Sequence, residues 1–448
     1  MGLGLLGGGV GAARYFAERG ARVTVTDLRG KDVLASSLQS LRDLPITFVL
    51  GRHEEDDFRN ADLIVRNPGV PESSPFLSIA QSARIPIETD ASLFAREVFR
   101  PQGKYFVIGV TGTKGKTTTA MLIGEGFRAA GLPVAIVGIP QTSFLQTLSS
   151  LEKNHHPSII VAELSSWQLE SLAHHAVSPP IAVFTSFFPD HLNRHRTMAS
   201  YLEAKTTIFR FQKGSDVLVI PEGISDLEEI LRPRPPRSII RVENEAINAL
   251  PPLVIIGAHQ RKNAALALAA INAAASHRSF LWQWDPQKTA EALRAIASFR
   301  GAPGRLELIA TINGRLFVND TTATNPEATA AALSSFEGPI ILIAGGEEKG
   351  LPVEGLARAI EHRVKELVLL PGSASEKIRS ALNPVYTARA VSSVDTMAEA
   401  VEIAWEKSSI GDTILLSPAA ASFNLYENEF DRGSAFTSAV ALLRSKRA

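Results

Sequence analysis

Tyr105-Phe106-Val107-Ile108-Gly109-Val110, running directly into Thr111-Gly112-Thr113-Lys114-Gly115-Lys116-Thr117-Thr118, is the stretch on which the fold turns. The first part is a short unbroken apolar run, the mark of a strand covered on both faces. The second places glycines where that strand gives way to a helical stretch, Thr117 to Ala130. Glycine frees backbone amides to point inward, and the helix start adds positive potential. Lys116 is placed to reach terminal phosphates and the Thr117 hydroxyl to meet Mg²⁺. Strict Walker spacing requires glycine where Val110 stands, so this is a variant phosphate loop.

The same run type recurs outward in both directions: Arg22 to Thr26, Leu63 to Val65, Val134 to Val137, Ser158 to Ala162, Ile181 to Thr185 and Val217 to Ile220. Later come Leu316 to Val318, Ile340 to Ile343, Leu367 to Leu370 and Thr413 to Leu416. Helical stretches lie between many of them, such as Gly11 to Arg19, Asn263 to Ala275 and Val394 to Trp405. Strand and helix in alternation predict parallel α/β sheets. The 448 residues, at about 150 per domain, imply about three domains. Arg100-Pro101-Gln102-Gly103 and Phe299-Arg300-Gly301-Ala302-Pro303-Gly304 read as linkers, and the proline-rich 231–237 as a surface loop. The expected domains are 1–98, 99–302 and 303–448.

Lysine plus arginine total 46 and aspartate plus glutamate total 46, so no basic excess exists to neutralise a nucleic-acid backbone. Cysteine is absent, which removes disulfides, thiolate metal sites and cysteine nucleophiles together. No apolar stretch reaches the roughly 18 residues that cross a bilayer, and the amino terminus lacks the basic start of a signal peptide. The expectation is a cytoplasmic monomer acting on small molecules, with no nucleic-acid or membrane partner.

A phosphate loop needs a carboxylate for its metal at a neighbouring strand end. Glu163, closing Ile159-Ile160-Val161-Ala162, meets that need, although a helix-capping role is equally open. His191 and His195 stand at a metal-ligand spacing on a helix, but without a third ligand such a pair reads as surface residues. His155-His156 and His174-His175 read as loop decoration. At the start of the chain Gly2, Gly4 and Gly7 with Asp27 satisfy a dinucleotide fingerprint. The same turn holds the diphosphate of any nucleotide, so NAD is one reading among several. Only Met1 precedes the glycines, which implies a truncated first strand or a natural start further upstream.

Taken together the motifs resemble the Mur ligases, ATP-dependent amino-acid ligases that build the peptide of bacterial cell-wall precursors. The resemblance rests on the phosphate loop, Glu163-Leu164-Ser165-Ser166-Trp167-Gln168-Leu169-Glu170 and Asp190-His191-Leu192-Asn193-Arg194-His195. It continues in Asn319-Asp320-Thr321-Thr322-Ala323-Thr324-Asn325, Gly345-Gly346-Glu347-Glu348-Lys349-Gly350 and Leu416-Ser417-Pro418-Ala419-Ala420-Ala421-Ser422-Phe423. What the resemblance implies is a three-domain α/β enzyme: a Rossmann-like amino-terminal domain, a central ATP-binding parallel sheet and a Rossmann-like carboxy-terminal domain. The motifs are most similar to those of the branch that adds D-glutamate to UDP-N-acetylmuramoyl-L-alanine.

By the same resemblance Lys116, Glu163, His191 and Lys205 are catalytic, and Thr117, Glu163, His191 and a carbamylated Lys205 hold two Mg²⁺ ions. Gly112 to Thr118, Asn263, Arg305 and Asp320 would contact ATP. Gly4, Gly7, Asp27, Ser165, Gln168, Thr324, Lys349 and Ser422 would contact the other substrates. Lys205, judged on its residues alone, is a solvated helix lysine. Some positions depart from the family pattern: Ala135-Ile136-Val137-Gly138 carries no asparagine, His259 is followed by Gln260, Thr322 replaces a lysine and Asn424 an aspartate. These leave open a related ligase with another substrate. An NAD-dependent oxidoreductase and a nucleotide-binding regulator without chemistry are rivals from other classes.

Overall fold

The computed structural model describes residues 1–4, 7–99, 103–139, 142–154, 157–231, 238–257 and 259–447. The expected linker at Arg100-Pro101-Gln102, the pair His155-His156 and most of the proline-rich stretch lie outside them. The chain divides into two compact units, Met1–Leu250 with Lys262–Ile296, and Pro251–Arg261 with Ala297–Ala448.

The first unit begins with two short parallel pairs, β1 (Val23–Asp27) with β2 (Ile46–Leu50) and β3 (Ile64–Val65) with β4 (Ile87–Glu88). Residues 1–4 run between them, with Gly2 and Gly4 at φ of 78° and 72°. Gly2 N–H donates to Thr26 O at 2.7 Å, while Asn67 N–H donates to Met1 O at 3.0 Å on the other edge. Leu3 is buried among Ala13, Val25, Leu34 and Leu41.

The main sheet of this unit is parallel and comprises β5 (Tyr105–Thr111), β6 (Val134–Val137), β7 (Ser158–Glu163), β8 (Ile181–Phe184), β9 (Val217–Pro221) and β10 (Ser238–Val242). Among the described residues their order is β10-β9-β8-β5-β7-β6. Six of the seven β5 residues are buried, as the unbroken apolar run predicts. Gly109 is required there, since a Cβ would stand 2.7 Å from Pro179 Cγ. β5 lies between β7 and β8, so the chain departs to one side after β5 and later returns on the other. Such a switch opens a crevice at the carboxyl ends of the strands.

The second unit holds β11 (Glu307–Ile312), β12 (Arg315–Asn319), β13 (Ile340–Ala344), β14 (Val364–Leu369), β15 (Val391–Ser393) and β16 (Thr413–Leu416), in the order β11-β12-β16-β13-β14-β15. The expectation of parallel sheets fails at one edge, where β11 and β12 are antiparallel. The cause is local. Asn313 and Gly314 adopt φ of 45° and 73°, the left-handed pair that closes a two-residue hairpin. β16 lies between β12 and β13, and the loops after these three strands leave from the same edge.

Candidate active site

The phosphate loop is held by its neighbours before any ligand arrives. Thr113 N–H donates to Ser186 O at 2.8 Å, Lys114 N–H to Ser186 Oγ at 2.8 Å, and Thr185 Oγ1 to Lys114 O at 2.6 Å. These tie the loop to the segment after β8. Gly115, at φ 87°, ends the turn and precedes the Lys116–Ala129 helix. A Cβ at Gly115 would collide with the Asn263 side chain, which places this buried asparagine directly against the loop.

Two lysines converge on one carbonyl. Lys116 Nζ donates to Gly112 O at 3.1 Å and to Thr113 O at 3.0 Å, and Lys205 Nζ donates to Gly112 O at 2.8 Å. Lys205 is 1% exposed, so the reading of a solvated helix lysine is corrected. It lies on the inner face of the Met198–Arg210 helix, where Tyr201, one turn earlier, sets its ring 4.6 Å from Nζ. Burial, helped by the charge of Lys116 and opposed by Asp190 and Glu163, lowers the Lys205 pKa to about 6. At pH 7 the amine is therefore largely neutral.

Glu163 ends β7 and is buried beside the loop, its neighbour Leu164 bonded through N–H to Val110 O at 2.8 Å. The alternative of a capping residue does not hold: the cap of the Ser166–Ala173 helix is Ser165, whose hydroxyl accepts from Gln168 N–H while Gln168 Oε1 accepts from Ser165 N–H at 2.8 Å. Ser165 and Gln168 thus have a structural duty as well as any toward substrate.

The expectation for the histidine pair is also corrected. His191 has φ 53° and precedes the short Leu192–His195 helix, so the two do not share a helix face. His195 is buried, with Nε2 2.9 Å from Ser166 Oγ, and burial lowers its pKa to about 4. It is a packing residue. His191 meets Trp167 edge-on at 5.5 Å between ring centroids. Burial lowers its pKa; Asp190 opposes this, while Lys116, Lys205 and Lys114 add to it. His175, expected on a loop, is half-buried and 2.9 Å from Glu88 Oε2.

At the glycine turn Leu3 N–H and Gly4 N–H both point to Asp27 Oδ2, at 2.9 and 3.3 Å. Gly7 is left-handed at φ 89° and caps the Gly8–Ala17 helix. Burial works to raise the Asp27 pKa, but hydrogen bonds from Arg29 and the backbone prevail and hold it at about 2.

In the second unit Asp320 follows β12, Lys349 follows β13 and Ser422 follows β16. Lys349 Nζ donates to Thr324 Oγ1 at 2.9 Å. Ala419 N–H donates to Ala323 O at 2.9 Å, and Glu347 and Ala421 exchange backbone bonds at 3.0 and 2.9 Å. Asp320 accepts from Ser417 Oγ at 2.8 Å and Leu306 N–H at 3.2 Å. Burial raises its pKa to about 7, although those two bonds and the charge of Arg305 oppose the rise. Sequence reasoning missed Tyr201 and Arg432. Tyr201 was findable, because a residue four before Lys205 shares its helix face.

Two strand-end crevices, one of them at a glycine-rich loop that carries Lys116 and faces buried Lys205, define an α/β protein of the nucleotide-binding type. The Mur ligase middle domain matches residues 110–250, the Mur ligase glutamate ligase domain 304–420, and the Mur ligase MurD-like N-terminal domain 1–89. The sequence is 40% identical to the UDP-N-acetylmuramoylalanine--D-glutamate ligase of Roseiflexus sp. (strain RS-1), covering 97% of this chain and 96% of that one. Identity to the ligase of the same name from Geobacter metallireducens is 34%, covering 98% and 96%. The UDP-N-acetylmuramate-alanine ligase MurC of Thermotoga maritima shares the fold, with a TM-score of 0.56 and 17% identity over 98% of both chains. The chain belongs to the Mur ligase family.

Proposed function

We propose that this chain is an ATP-dependent ligase joining D-glutamate to UDP-N-acetylmuramoyl-L-alanine in peptidoglycan precursor synthesis. The observation that carries the reading is likeness over nearly the whole chain to ligases of that name. The phosphate loop, Glu163 and Lys205 accord with it. Three domains, 1–98 for the uridine nucleotide, 99–302 for ATP and 303–448 for the amino acid, are part of the proposal, as are a monomeric state and a cytoplasmic location. Among the described residues no helix is long and apolar enough to cross a membrane.

The reaction must convert a carboxylate, which has no good leaving group, to an acyl phosphate: a carboxylate oxygen attacks the γ-phosphorus of ATP, the β–γ phosphoanhydride bond breaks and ADP leaves. Two anions have to approach each other. Lys116 and the loop amides would offset that repulsion and hold the transferred phosphoryl group. The amine of D-glutamate then attacks the acyl carbon, and phosphate leaves as the tetrahedral intermediate collapses. Asn263 would hold the nucleotide against the loop; the roles of Arg305 and Asp320 toward ATP rest on the family resemblance alone.

Among the described residues no three His, Asp or Glu side chains cluster as a metal cage. The donor set still suits Mg²⁺, which is usually held by one or two carboxylates plus phosphate oxygens and water. Thr117, Glu163 and His191 would hold it, with Lys205 as a fourth ligand once carbamylated. The desolvated amine is the form that takes up carbon dioxide, and a neutral imidazole is the form that binds metal. When bound, Mg²⁺ would supply charge stabilisation at the phosphoryl oxygens. The test is phosphate release from ATP with UDP-N-acetylmuramoyl-L-alanine and a panel of D- and L-amino acids. D-Glutamate should be preferred, and preference for a neutral or cationic amino acid would move the chain to another branch of the family.

A further inference from the structure

Arg432 stands in the first turns of the Glu429–Arg447 helix and is 1% exposed. Its Nε donates to Thr321 Oγ1 at 3.1 Å, one terminal nitrogen to Thr321 O at 2.9 Å and the other to Ala420 O at 3.1 Å. All three acceptors are neutral. A buried guanidinium so paired is a poor stabiliser compared with an apolar side chain of similar volume. Its planar fork does give fixed geometry, and that geometry spans the loop after β12 and the loop after β16.

The loop after β16 needs such restraint. Ala419 has φ 61°, a left-handed conformation that a residue with a Cβ keeps when its surroundings over-determine it. The backbone bonds of Ala419 to Ala323 and of Ala421 to Glu347 supply part of that restraint, and the Arg432 bond to Ala420 O falls between them. Ser422 follows at once. On the other loop, Thr321 is held at its carbonyl and its hydroxyl, and Thr322 and Thr324 follow. The helix sits hard against this loop: a Cβ at Gly433 would lie 2.8 Å from Thr321 Cγ2 and 3.0 Å from Asn319 Nδ2.

We infer that Arg432 is a positioning residue for the amino-acid pocket, setting Ser422 relative to Thr322 and Thr324 through Ala420 and Thr321. This rests on the reading that these loops receive the amino acid. The experiment compares Arg432→Met, Arg432→Lys and Thr321→Val with the parent chain. KM for D-glutamate, KM for ATP and kcat are measured well below each variant's unfolding midpoint, with the Kd for UDP as a control at the glycine turn of the other unit. The expected result is a rise of about tenfold or more in KM for D-glutamate in Arg432→Met, the scale of loss from small misplacement. A smaller rise is expected in Arg432→Lys and Thr321→Val, with UDP affinity unchanged in all three. Parental KM and kcat in the folded Lys and Val variants, or a change in unfolding midpoint alone, would overturn the inference. If Arg432→Met fails to fold, the other two variants decide. Failure of the parent chain to use D-glutamate would instead sink the underlying reading, and it would be seen before any variant is assayed. The same comparison would then be made with the amino acid the parent prefers.

Discussion

Lys205 Nζ lies 2.8 Å from the carbonyl oxygen of Gly112, so a buried amine on one helix is anchored to the hinge of the phosphate loop. Burial favours its neutral form, which is the form the proposed carbamylation requires. Lys205→Ala is expected to be inactive and partly rescued by formate or acetate, which would return the missing oxygens. Phosphate release with and without the added carboxylate is the measurement. Full activity in the unsupplemented variant would remove Lys205 from the site.

In the proposed function, Lys116 and Glu163 act on charge at the transferred phosphoryl group, one as a cation and one as a metal ligand. Lys116→Ala and Glu163→Ala should each lower kcat by more than about a hundredfold, as loss of a main electrostatic stabiliser does. Circular dichroism should show both folded. Near-parental turnover in either would reject the assignment.

Nine of the twelve strands of the two large sheets were legible because short apolar runs bounded by turn residues have few alternative readings. Val134–Val137 and Thr413–Leu416 coincide with their observed limits. Short or half-exposed strands carried no such signal: Ile87–Glu88 has two residues, and Glu307–Ile312 is an edge strand. The phosphate loop was legible for the same local reason. Burial of Lys205 was not, since one lysine in a helix says nothing about which face packs. Arg432 was invisible because its partners, Thr321 and Ala420, are remote in sequence and two of its three bonds are to backbone.

Asp27 supplies a pH signature of the amino-terminal turn. Its pKa is about 2 when folded against an ordinary 3.8, so its stabilisation is complete above about pH 4 and is lost as pH falls through about 2. Asp27→Asn should cost about 1–2 kcal/mol at neutral pH. Roughly 1.4 kcal/mol for each tenfold change in proton affinity gives about 2.5 kcal/mol, and solvent screening of the Arg29 partner reduces it to about 1–2 kcal/mol. The difference in unfolding midpoint between parent and variant should shrink from pH 4 to pH 2. A difference independent of pH would show that the carboxylate charge is not what holds Leu3 and Gly4.

The same turn separates the ligase from the oxidoreductase reading. A ligand that binds only the folded chain raises its unfolding midpoint by mass action. UDP should therefore protect thermally, and NAD should not. Tight NAD binding with no effect of UDP would overturn the assignment of Gly4, Gly7 and Asp27 to a uridine nucleotide.

Thr322 stands where the family pattern has a lysine, and its Oγ1 is engaged with Gly304 O at 2.9 Å. D-Glutamate brings two carboxylates, and neither can be left unpaired away from water. Lys349, with Thr324 at 2.9 Å, is then a principal cation of the pocket, and Ser422 adds a hydroxyl. Lys349→Ala should raise KM for D-glutamate by about tenfold, since the lysine is exposed and the loss is that of one solvent-screened, charge-assisted hydrogen bond of roughly 1.5 kcal/mol. Thr322→Lys should lower that KM without a comparable rise in kcat, because a cation that meets the carboxylate equally in ground and transition states gives uniform binding. An unchanged KM in Thr322→Lys would mean that the second carboxylate is held elsewhere. A rise in kcat alone would instead place residue 322 at the reacting centre rather than at the binding contact.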